Sequence, residues 1–229
     1  MNELSLFTGA GGGLLASELL GWRTVCGVEI NPFCCRRLLQ RQNEGHIPPF
    51  PLWDDVCTFD GHPWKGIVDV VSGGFPCQPF STATHGNATA VDFWPEMLRI
   101  IKEVSPKFVF AENVALKAIV RAAEDCEAIG YKAKICALSA KDLGADHIRK
   151  RYWVFAHTDL HQQLCSGQHA ETSKLPEFCP RVWEGQKSSE CGMANGVANR
   201  MDRLIAVGNG QVPAVAAAAW TILTADLKF

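Results

Sequence analysis

The sequence predicts an α/β fold with a doubly wound sheet, on three observations. Short apolar runs alternate with segments of helical period along most of the 229 residues. The first apolar run is followed by the glycine-rich segment GAGGG at residues 9–13, which is typical of a strand-to-helix turn that approaches a ligand. The second run ends at Glu29, about 20 residues after these glycines. This order is typical of a sheet with helices on both faces.

The apolar runs set the expected strands, and the periodic segments set the expected helices. The predicted strands lie at residues 4–7, 24–30, 67–71, 107–111, 131–138 and 151–156, with a further short strand that ends at 54–56. The predicted helices lie at residues 14–20, 116–129 and 213–227. Two further helices are predicted to begin after residue 31 and at residue 94.

Local signals support the helix boundaries. Asn31 and Pro32 suit an N-cap and a first helical position, because asparagine can accept from free N–H groups and proline lacks one. Pro95 follows Trp94 at the start of a helix with one apolar face. Gly130 follows the helix predicted at 116–129, where a left-handed residue commonly ends a helix.

The periodic pattern divides the chain into three parts. Residues 1–156 form the predicted catalytic and cofactor-binding core. Residues 157–199 are polar and show no period, which predicts a short irregular recognition segment. Residues 200–229 are predicted to return to the core.

Composition limits the classes of protein that fit. The formal net charge of −2 excludes a global basic signature, so a nucleic acid would be held by a local patch. No segment resembles a signal peptide, and the apolar run at 214–223 is too short to span a bilayer. The ten cysteines are therefore expected to be reduced thiols in a cytoplasm.

One cysteine lies in a setting that suggests chemistry. Residues 73–81 read GGFPCQPFS and follow a predicted buried strand. The two glycines predict a sharp turn, and Pro76 and Pro79 stiffen the backbone around Cys77. A nucleophile needs such a fixed direction of attack, whereas an incidental cysteine in a turn does not.

Several motifs, in this order, resemble the DNA cytosine-5 methyltransferases. They are the glycine segment after Phe7, PCQ around Cys77, FWPEM at 93–97, ENV at 112–114, HIRKR at 147–151, Arg203 with the following leucine, and GNGQVP at 208–213. The resemblance implies a Rossmann-like methyltransferase sheet, S-adenosylmethionine as methyl donor, and methylation of cytosine C5 in duplex DNA.

The resemblance also implies roles for residues. Cys77 would attack C6 of a flipped cytosine as a thiolate, and Glu112 would hold N3 and the amino group with a pKa raised towards neutrality. Arg149 and Arg151 would contact the base and the DNA backbone. The implied cofactor residues are Phe7, Thr8, Gly9, Gly11, Gly12, Glu29, Ile30, Asp55, Val56, Pro76, Phe93 and Asn209. The implied DNA contacts are Gln78, Ser81, Thr82, His85, Arg149, Arg151 and Arg203.

Some features depart from that family or leave alternatives open. His147 stands where the family commonly has glutamine, and the recognition segment is short. An RNA (transfer RNA) cytosine-5 methyltransferase and a non-catalytic DNA-binding relative therefore remain alternatives. The histidines and cysteines of 157–191 lack a paired Cys-x2-Cys, so no metal is predicted. We expect a monomer encoded by a prokaryote or phage, with any cognate restriction endonuclease acting separately.

Overall fold

The computed structural model describes residues 1–76, 92–158 and 210–227. Its strands are β1 (Asn2–Leu6), β2 (Arg23–Val28), β3 (Leu52–Trp53), β4 (Val70–Gly74), β5 (Phe108–Asn113), β6 (Lys132–Ser139) and β7 (Lys150–His157). Its α-helices are α1 (Gly12–Leu19), α2 (Pro32–Asn43), α3 (Trp94–Val104), α4 (Leu116–Ala128) and α5 (Pro213–Leu223). Short 3-10 turns lie at Val56–Thr58, His62–Trp64 and Ala140–Leu143.

The described strands form one seven-stranded sheet in the order β3-β2-β1-β4-β5-β7-β6. The pairs from β3 to β5 are parallel, and β7 is antiparallel to both of its neighbours. The strand order reverses between β1 and β4, and in open α/β sheets ligands bind at the carboxyl ends of the strands at such a point. The predicted α/β class with a doubly wound sheet is confirmed.

Alternate residues of the central strands enter two separate hydrophobic cores. On one face, Val71 and Val109 pack with side chains of α3 and α4. On the other face, Val70 and Phe110 pack with Ala16 of α1 and with α5. Helices therefore cover both faces of the sheet, and the strands buried between them are apolar almost throughout, as expected for a parallel sheet.

The structure corrects the expected turn at the two glycines before Cys77. Gly73 and Gly74 are the last residues of β4 and pair with β5. A Cβ on Gly73 would lie 2.5 Å from the carbonyl oxygen of Leu6, and one on Gly74 would lie 2.8 Å from Oε2 of Glu112. The glycines are needed because neighbouring groups approach the strand closely, and the strand is displaced by three residues from the predicted 67–71.

Other boundaries agree with the local signals. The side chain of Asn31 accepts hydrogen bonds from the backbone N–H groups of Phe33 and Cys34 at the start of α2, and Gly130 has a φ of +94° after α4. Asp55 does not end a strand as predicted: β3 stops at Trp53 and Asp55 caps the following 3-10 turn. The last helix ends at Leu223 instead of 227.

Most of the predicted recognition segment, and the residues that follow it up to 209, lie outside the described residues. His157, the first residue of that segment, is the buried last residue of β7. Among the helices of the described ranges, none combines the length and the apolar character that a membrane span requires.

Candidate active site

The described site residues meet at the carboxyl ends of β1, β2, β4 and β5. Seven predicted residues lie outside the described ranges, so their placement stays a prediction: Cys77, Gln78, Ser81, Thr82, His85, Arg203 and Asn209. Pro76, the last described residue before Cys77, lies two residues after the end of β4, whose last residue, Gly74, pairs with Glu112 of β5.

The loop between β1 and α1 has the unusual backbone that its sequence predicts. Phe7, Gly9 and Gly11 all have positive φ angles, of 52°, 60° and 93°. The hydroxyl of Thr8 donates towards the carbonyl oxygens of Ser5 and Val28, at 3.0 and 3.2 Å. Thr8 therefore anchors the loop to both strands with its side chain, which leaves the loop backbone to approach a ligand.

Glu29 fixes the other side of this loop. One carboxylate oxygen accepts from the backbone N–H of Gly9 at 2.6 Å, and the other accepts from the N–H of Asn31 at 2.7 Å. The carboxylate is buried, and a backbone N–H group donates to each of its two oxygens. Each oxygen can still accept a further hydrogen bond. Ribose hydroxyls are suitable donors for those remaining positions.

The remaining cofactor candidates surround this loop with different exposures. Ile30 is exposed, whereas Val56 is buried in the core and its carbonyl oxygen accepts from Nη2 of Arg99 at 2.9 Å. The rings of Phe7 and Phe93 lie 6.0 Å apart, and the carbonyl oxygen of Pro76 accepts from the N–H of Phe93. This contact places the end of β4 against the start of α3.

Gly12 serves packing more than ligand binding. A Cβ at this position would collide with the backbone carbonyl of Gln211, in the segment that leads into α5. Close to this contact lies a cleft of about 560 Å³, counted with its opening to solvent, which extends from Phe7 and Gly9 to Gln211. Glu29 and Asp55 do not line it, whereas Glu3, Trp22 and Phe110 do, so the cleft also extends between α1 and the sheet.

These groups fit the expected cofactor chemically. The hydrogen-bonded carboxylate of Glu29 suits a ribose, and the rings of Phe7 and Phe93 suit an adenine. A glycine loop precedes the N-terminus of α1. Helix N-termini and such loops suit carboxylate groups of ligands, because their N–H groups point outward.

Glu112, at the end of β5, is the buried acid of the site. Its side chain is 6% exposed. The Nε atom of Arg151 lies 2.9 Å from Oε1 of Glu112, yet Oε1 accepts no hydrogen bond of acceptable geometry within the described structure. A buried carboxyl oxygen without a donor is costly unless a ligand supplies one. This arrangement fits a base with an exocyclic amino group.

The pKa of Glu112 has a clear physical cause. Burial raises it to about 7, while the charges of Arg151 and Arg149 and a hydrogen bond from Gln211 act in the opposite direction. The effect of burial on the pKa is larger than the opposing effects, because the carboxylate loses nearly all of its hydration. Glu112 can therefore hold or release a proton near neutral pH, which is the property that binding at cytosine N3 requires.

Arg149 and Arg151 are placed differently. Nη2 of Arg149 donates a hydrogen bond of 2.5 Å to the carbonyl oxygen of Gly210. Arg151 donates to the carbonyl oxygen of Lys150 and faces Glu112. Arg149 thus fastens the segment before α5 to the site, a contact that the sequence did not indicate.

Sequence reasoning missed two polar side chains next to Glu112. Nδ2 of Asn113 donates to the carbonyl oxygen of Phe75 at 2.8 Å, and Gln211 donates to the carboxyl of Glu112. Both lie inside motifs that the sequence singled out, ENV and GNGQVP. Their position within these motifs was the available signal, but neither residue type is by itself a sign of chemistry.

The described cysteines are poor nucleophiles by comparison with the predicted one. The six in the described ranges are free thiols, as predicted. Burial raises the pKa of Cys26 and Cys136 to about 11 and that of Cys126 to about 12. Thiols with such values are protonated at neutral pH and unreactive.

Comparison with known proteins gives the family. Residues 1–200 match the family model of the C-5 cytosine-specific DNA methylases. The chain is 33% identical over 176 residues to the type II methyltransferase M1.HphI of Haemophilus parahaemolyticus, covering 69% of this chain and 46% of that protein. It is 29% identical over 204 residues to the type II methyltransferase M.MspI of Moraxella sp, covering 82% and 45%. The chain therefore spans about half the length of these relatives.

Solved structures give the same fold. The Dnmt2 methyltransferase of S. pombe superposes with a TM-score of 0.55 at 20% identity, over 75% of this chain and 57% of that one. The Entamoeba histolytica methyltransferase EhMeth superposes with a TM-score of 0.55 at 17% identity, over 76% and 57%. With its family model matched over residues 1–200, the chain belongs to the C-5 cytosine-specific DNA methylases.

Proposed function

We propose that this chain transfers a methyl group from S-adenosylmethionine to C5 of a cytosine in duplex DNA, through a covalent adduct between Cys77 and a flipped base. The observation that carries the proposal is Glu112: a buried carboxyl at the end of β5 with a pKa of about 7, whose Oε1 lies 2.9 Å from Nε of Arg151 and which also feels the charge of Arg149. Few structural roles call for such a group, and functional sites commonly hold one.

The position of Glu112 supports its role towards the base. It ends β5, next to the end of β4, and Cys77 follows β4 by three residues. A cytosine held at N3 and N4 by Glu112 would have its C6 on the opposite side of the ring, and we propose that Cys77 attacks it there. Protonated Glu112 donates to N3 and its other oxygen accepts from the amino group, which balances the negative charge that develops on the ring during attack.

The electron movements then follow from the base. The thiolate of Cys77 forms a bond to C6, and the C5–C6 π electrons make C5 nucleophilic. Bound S-adenosylmethionine would supply the methyl group as an electrophile: the new bond to C5 would form as the sulfonium S–CH3 bond breaks, and S-adenosylhomocysteine would leave with that electron pair. Loss of the C5 proton to a base and departure of the sulfur from C6 restore the aromatic ring and the free thiolate.

The cofactor would be held by the loop after β1. Glu29 would accept from the ribose hydroxyls, Asp55 from the adenine amino group, and the rings of Phe7 and Phe93 would flank the adenine. The amino-acid end would lie near Gly9, in the cleft that extends towards Gln211. Asn209 would complete this end.

Duplex DNA is the partner that we propose. C6 of a stacked cytosine is inaccessible to a thiol, so the base must leave the helix at a cost of a few kcal/mol. Arg149 and Arg151 lie at the site edge where the backbone around a flipped base would pass. One flipped base needs one site, so we propose that a monomer acts, with any cognate restriction endonuclease as a separate protein.

The experiment that tests the function is transfer of radiolabelled methyl from S-adenosylmethionine to mixed-sequence duplex DNA, with transfer RNA in a parallel reaction. We expect label in DNA with the wild type and none with Cys77→Ser. Cys136→Ser is the matched control, because Cys136 lies on β6 at the edge of the sheet, away from the ends of β1, β2, β4 and β5, and it should keep full transfer.

Each other outcome contradicts part of the proposal. Label in transfer RNA alone would identify an RNA methyltransferase. Cofactor binding with no transfer to either nucleic acid would favour a non-catalytic relative. Equal transfer by Cys77→Ser would exclude Cys77 as the nucleophile.

A further inference from the structure

The segment before α5 places one side chain between two halves of the site. Gln211 lines the cleft together with Gly9 and Gly13. Its Oε1 atom lies 3.0 Å from where a Cβ on Gly13 would be, at the first turn of α1. Its Nε2 atom lies on the opposite side, 3.3 Å from where a Cβ on Gly74 would be. The amide thus fills the gap between α1 and the end of β4.

Glu112 is next to the Nε2 end of this amide. Oε2 of Glu112 lies 2.8 Å from the same position beside Gly74, and the side chain of Gln211 donates a hydrogen bond to the Glu112 carboxyl. The other oxygen, Oε1, receives no such donor in the described structure. Gln211 therefore lies beside one oxygen, and the other oxygen faces Nε of Arg151 at 2.9 Å without a well-aligned hydrogen bond.

The backbone around Gln211 is itself held in place. Arg149 donates to the carbonyl oxygen of Gly210, and the backbone of Gln211 fits against Gly12 so closely that a Cβ there would collide with it. A side chain on such a fixed backbone has a restricted direction, which suits a group that positions another.

We propose that Gln211 is a positioning residue: its amide, which lies between the first turn of α1 and the end of β4, fixes the Glu112 carboxyl for cytosine binding. The catalytic meaning of this role rests on the proposed methyl transfer. The contact between Gln211 and Glu112 does not depend on that function, because it is present without substrate.

The direction of the effect follows from hydrogen bonding. An N–H donor stabilises the ionised form of a carboxylate more than the neutral form, and the bond from Gln211 lowers the pKa of Glu112. The charged groups that act on Glu112 from the neighbouring elements of the described structure are Arg149 and Arg151, which also lower it. Removing the Gln211 donor should therefore make Glu112 keep its proton to higher pH.

The test measures the ionisation of Glu112 directly. The full chain is labelled with glutamate enriched in ¹³C at the side-chain carboxyl, and the resonance that disappears in Glu112→Gln is followed from pH 5 to 9. We expect a midpoint near neutrality in the wild type and a higher midpoint in Gln211→Met, which has similar length and no N–H donor. Gln211→Glu should raise the midpoint further, because it adds a second carboxyl beside the first.

A matched control separates this contact from a general effect of removing glutamine. Gln40→Met removes an exposed amide on α2 that bonds only to neighbours in the described structure, and its midpoint should equal that of the wild type. In methyl-transfer assays at saturating cofactor, Gln211→Met should lower kcat about tenfold, while KM for the cofactor changes less. Urea unfolding verifies that both variants fold.

The outcomes distinguish this inference from the proposed function. An unchanged midpoint in folded Gln211→Met and Gln211→Glu would overturn the inference even if DNA is methylated. A raised midpoint in a protein that methylates no nucleic acid would support the contact and refute the function. A raised midpoint with unchanged kcat would overturn the positioning role.

Discussion

Asn113 donates a 2.8 Å hydrogen bond from its side-chain amide to the carbonyl oxygen of Phe75, two residues before Cys77. The Oδ1 atom of the same side chain accepts from the backbone N–H of Ala115 at 2.9 Å. Asn113 is buried, so both bonds are shielded from water. The residue after the acid Glu112 therefore holds the backbone from which the cysteine loop departs.

This relationship predicts that Asn113→Ala lowers methyl transfer. The substitution leaves a buried carbonyl at Phe75 without its donor, which costs about 1–3 kcal/mol, and it loosens the backbone before Cys77. We expect kcat to fall more than tenfold, with cofactor affinity measured by calorimetry changed much less. Asn43→Ala, at the exposed end of α2, is the control and should behave as wild type. A large loss of cofactor affinity in Asn113→Ala would contradict this role.

The raised pKa of Glu112 predicts how the rate of methyl transfer changes at alkaline pH. If protonated Glu112 is the active form, the single-turnover rate should fall above pH 7, since the pKa of this group is about 7, by about tenfold per pH unit. Thiolate formation at Cys77 acts in the opposite direction and limits the acidic side. Glu112→Gln cannot supply the proton, so it should be slow and should lose the alkaline decrease. If that decrease persists in the variant, another group causes it.

Gly74 should be required for activity more than for folding. A Cβ at this position would lie 2.8 Å from Oε2 of Glu112 and 3.3 Å from Nε2 of Gln211, so Gly74→Ala must displace the acid. A displacement of about 1 Å can lower a rate about a hundredfold. Gly45→Ala is the control, because nothing lies within 4 Å of its Cβ, although its φ of +74° carries a small strain. A fully active Gly74→Ala would contradict the placement of Glu112.

Glu3, which lines the cleft near Gly9, predicts a pH-dependent effect on stability. This buried carboxylate on β1 accepts from the hydroxyls of Ser17, Thr24 and Ser72. Burial nevertheless raises its pKa above the ordinary value of 4.5, because the three hydroxyls only partly replace hydration.

The sign of the pH dependence follows from this raised value. The stability that neutral Glu3 contributes is fully present below pH 4.5 and is lost as the pH rises through the pKa of the folded state. Urea unfolding should therefore show that Glu3→Gln gains stability relative to wild type between pH 5 and pH 8. Taking the difference in unfolding free energy between the two proteins removes the contributions of the other titrating groups, because both proteins contain them. A difference that stays constant over this range would refute a raised pKa.

The sequence predicted those features that depend on local patterns. Alternating apolar runs indicated six of the strands, and the cap at Asn31 and the glycine at 130 lie where the local rules placed them. The motifs also indicated Glu29 and Glu112 as functional carboxylates at strand ends. Each of these depends on a few neighbouring residues, so the chain itself contains the signal.

Features that depend on tertiary contact were not predictable from the sequence. The two glycines before Cys77 suggested a turn, but they are the last residues of β4. Glycine is needed there because Leu6 and Glu112, on the neighbouring strands, leave no room for a Cβ. Nothing local indicated that β7 inserts between β5 and β6. Gln211 follows Glu112 by 99 positions in the sequence, and its contact with the acid depends on how α5 packs against α1.

The most direct test of the account is to trap the adduct on Cys77. Duplex DNA of mixed sequence is prepared with 5-fluorocytosine in place of cytosine and incubated with the chain and S-adenosylmethionine. Fluorine cannot leave C5 as a proton does, so the enzyme should remain bonded to C6. We predict a covalent complex on a denaturing gel that requires the cofactor, maps by peptide mass to Cys77 among the ten cysteines, and is absent in Cys77→Ser. Methyl transfer to ordinary DNA without any trapped complex, or a complex on another cysteine, would contradict the account.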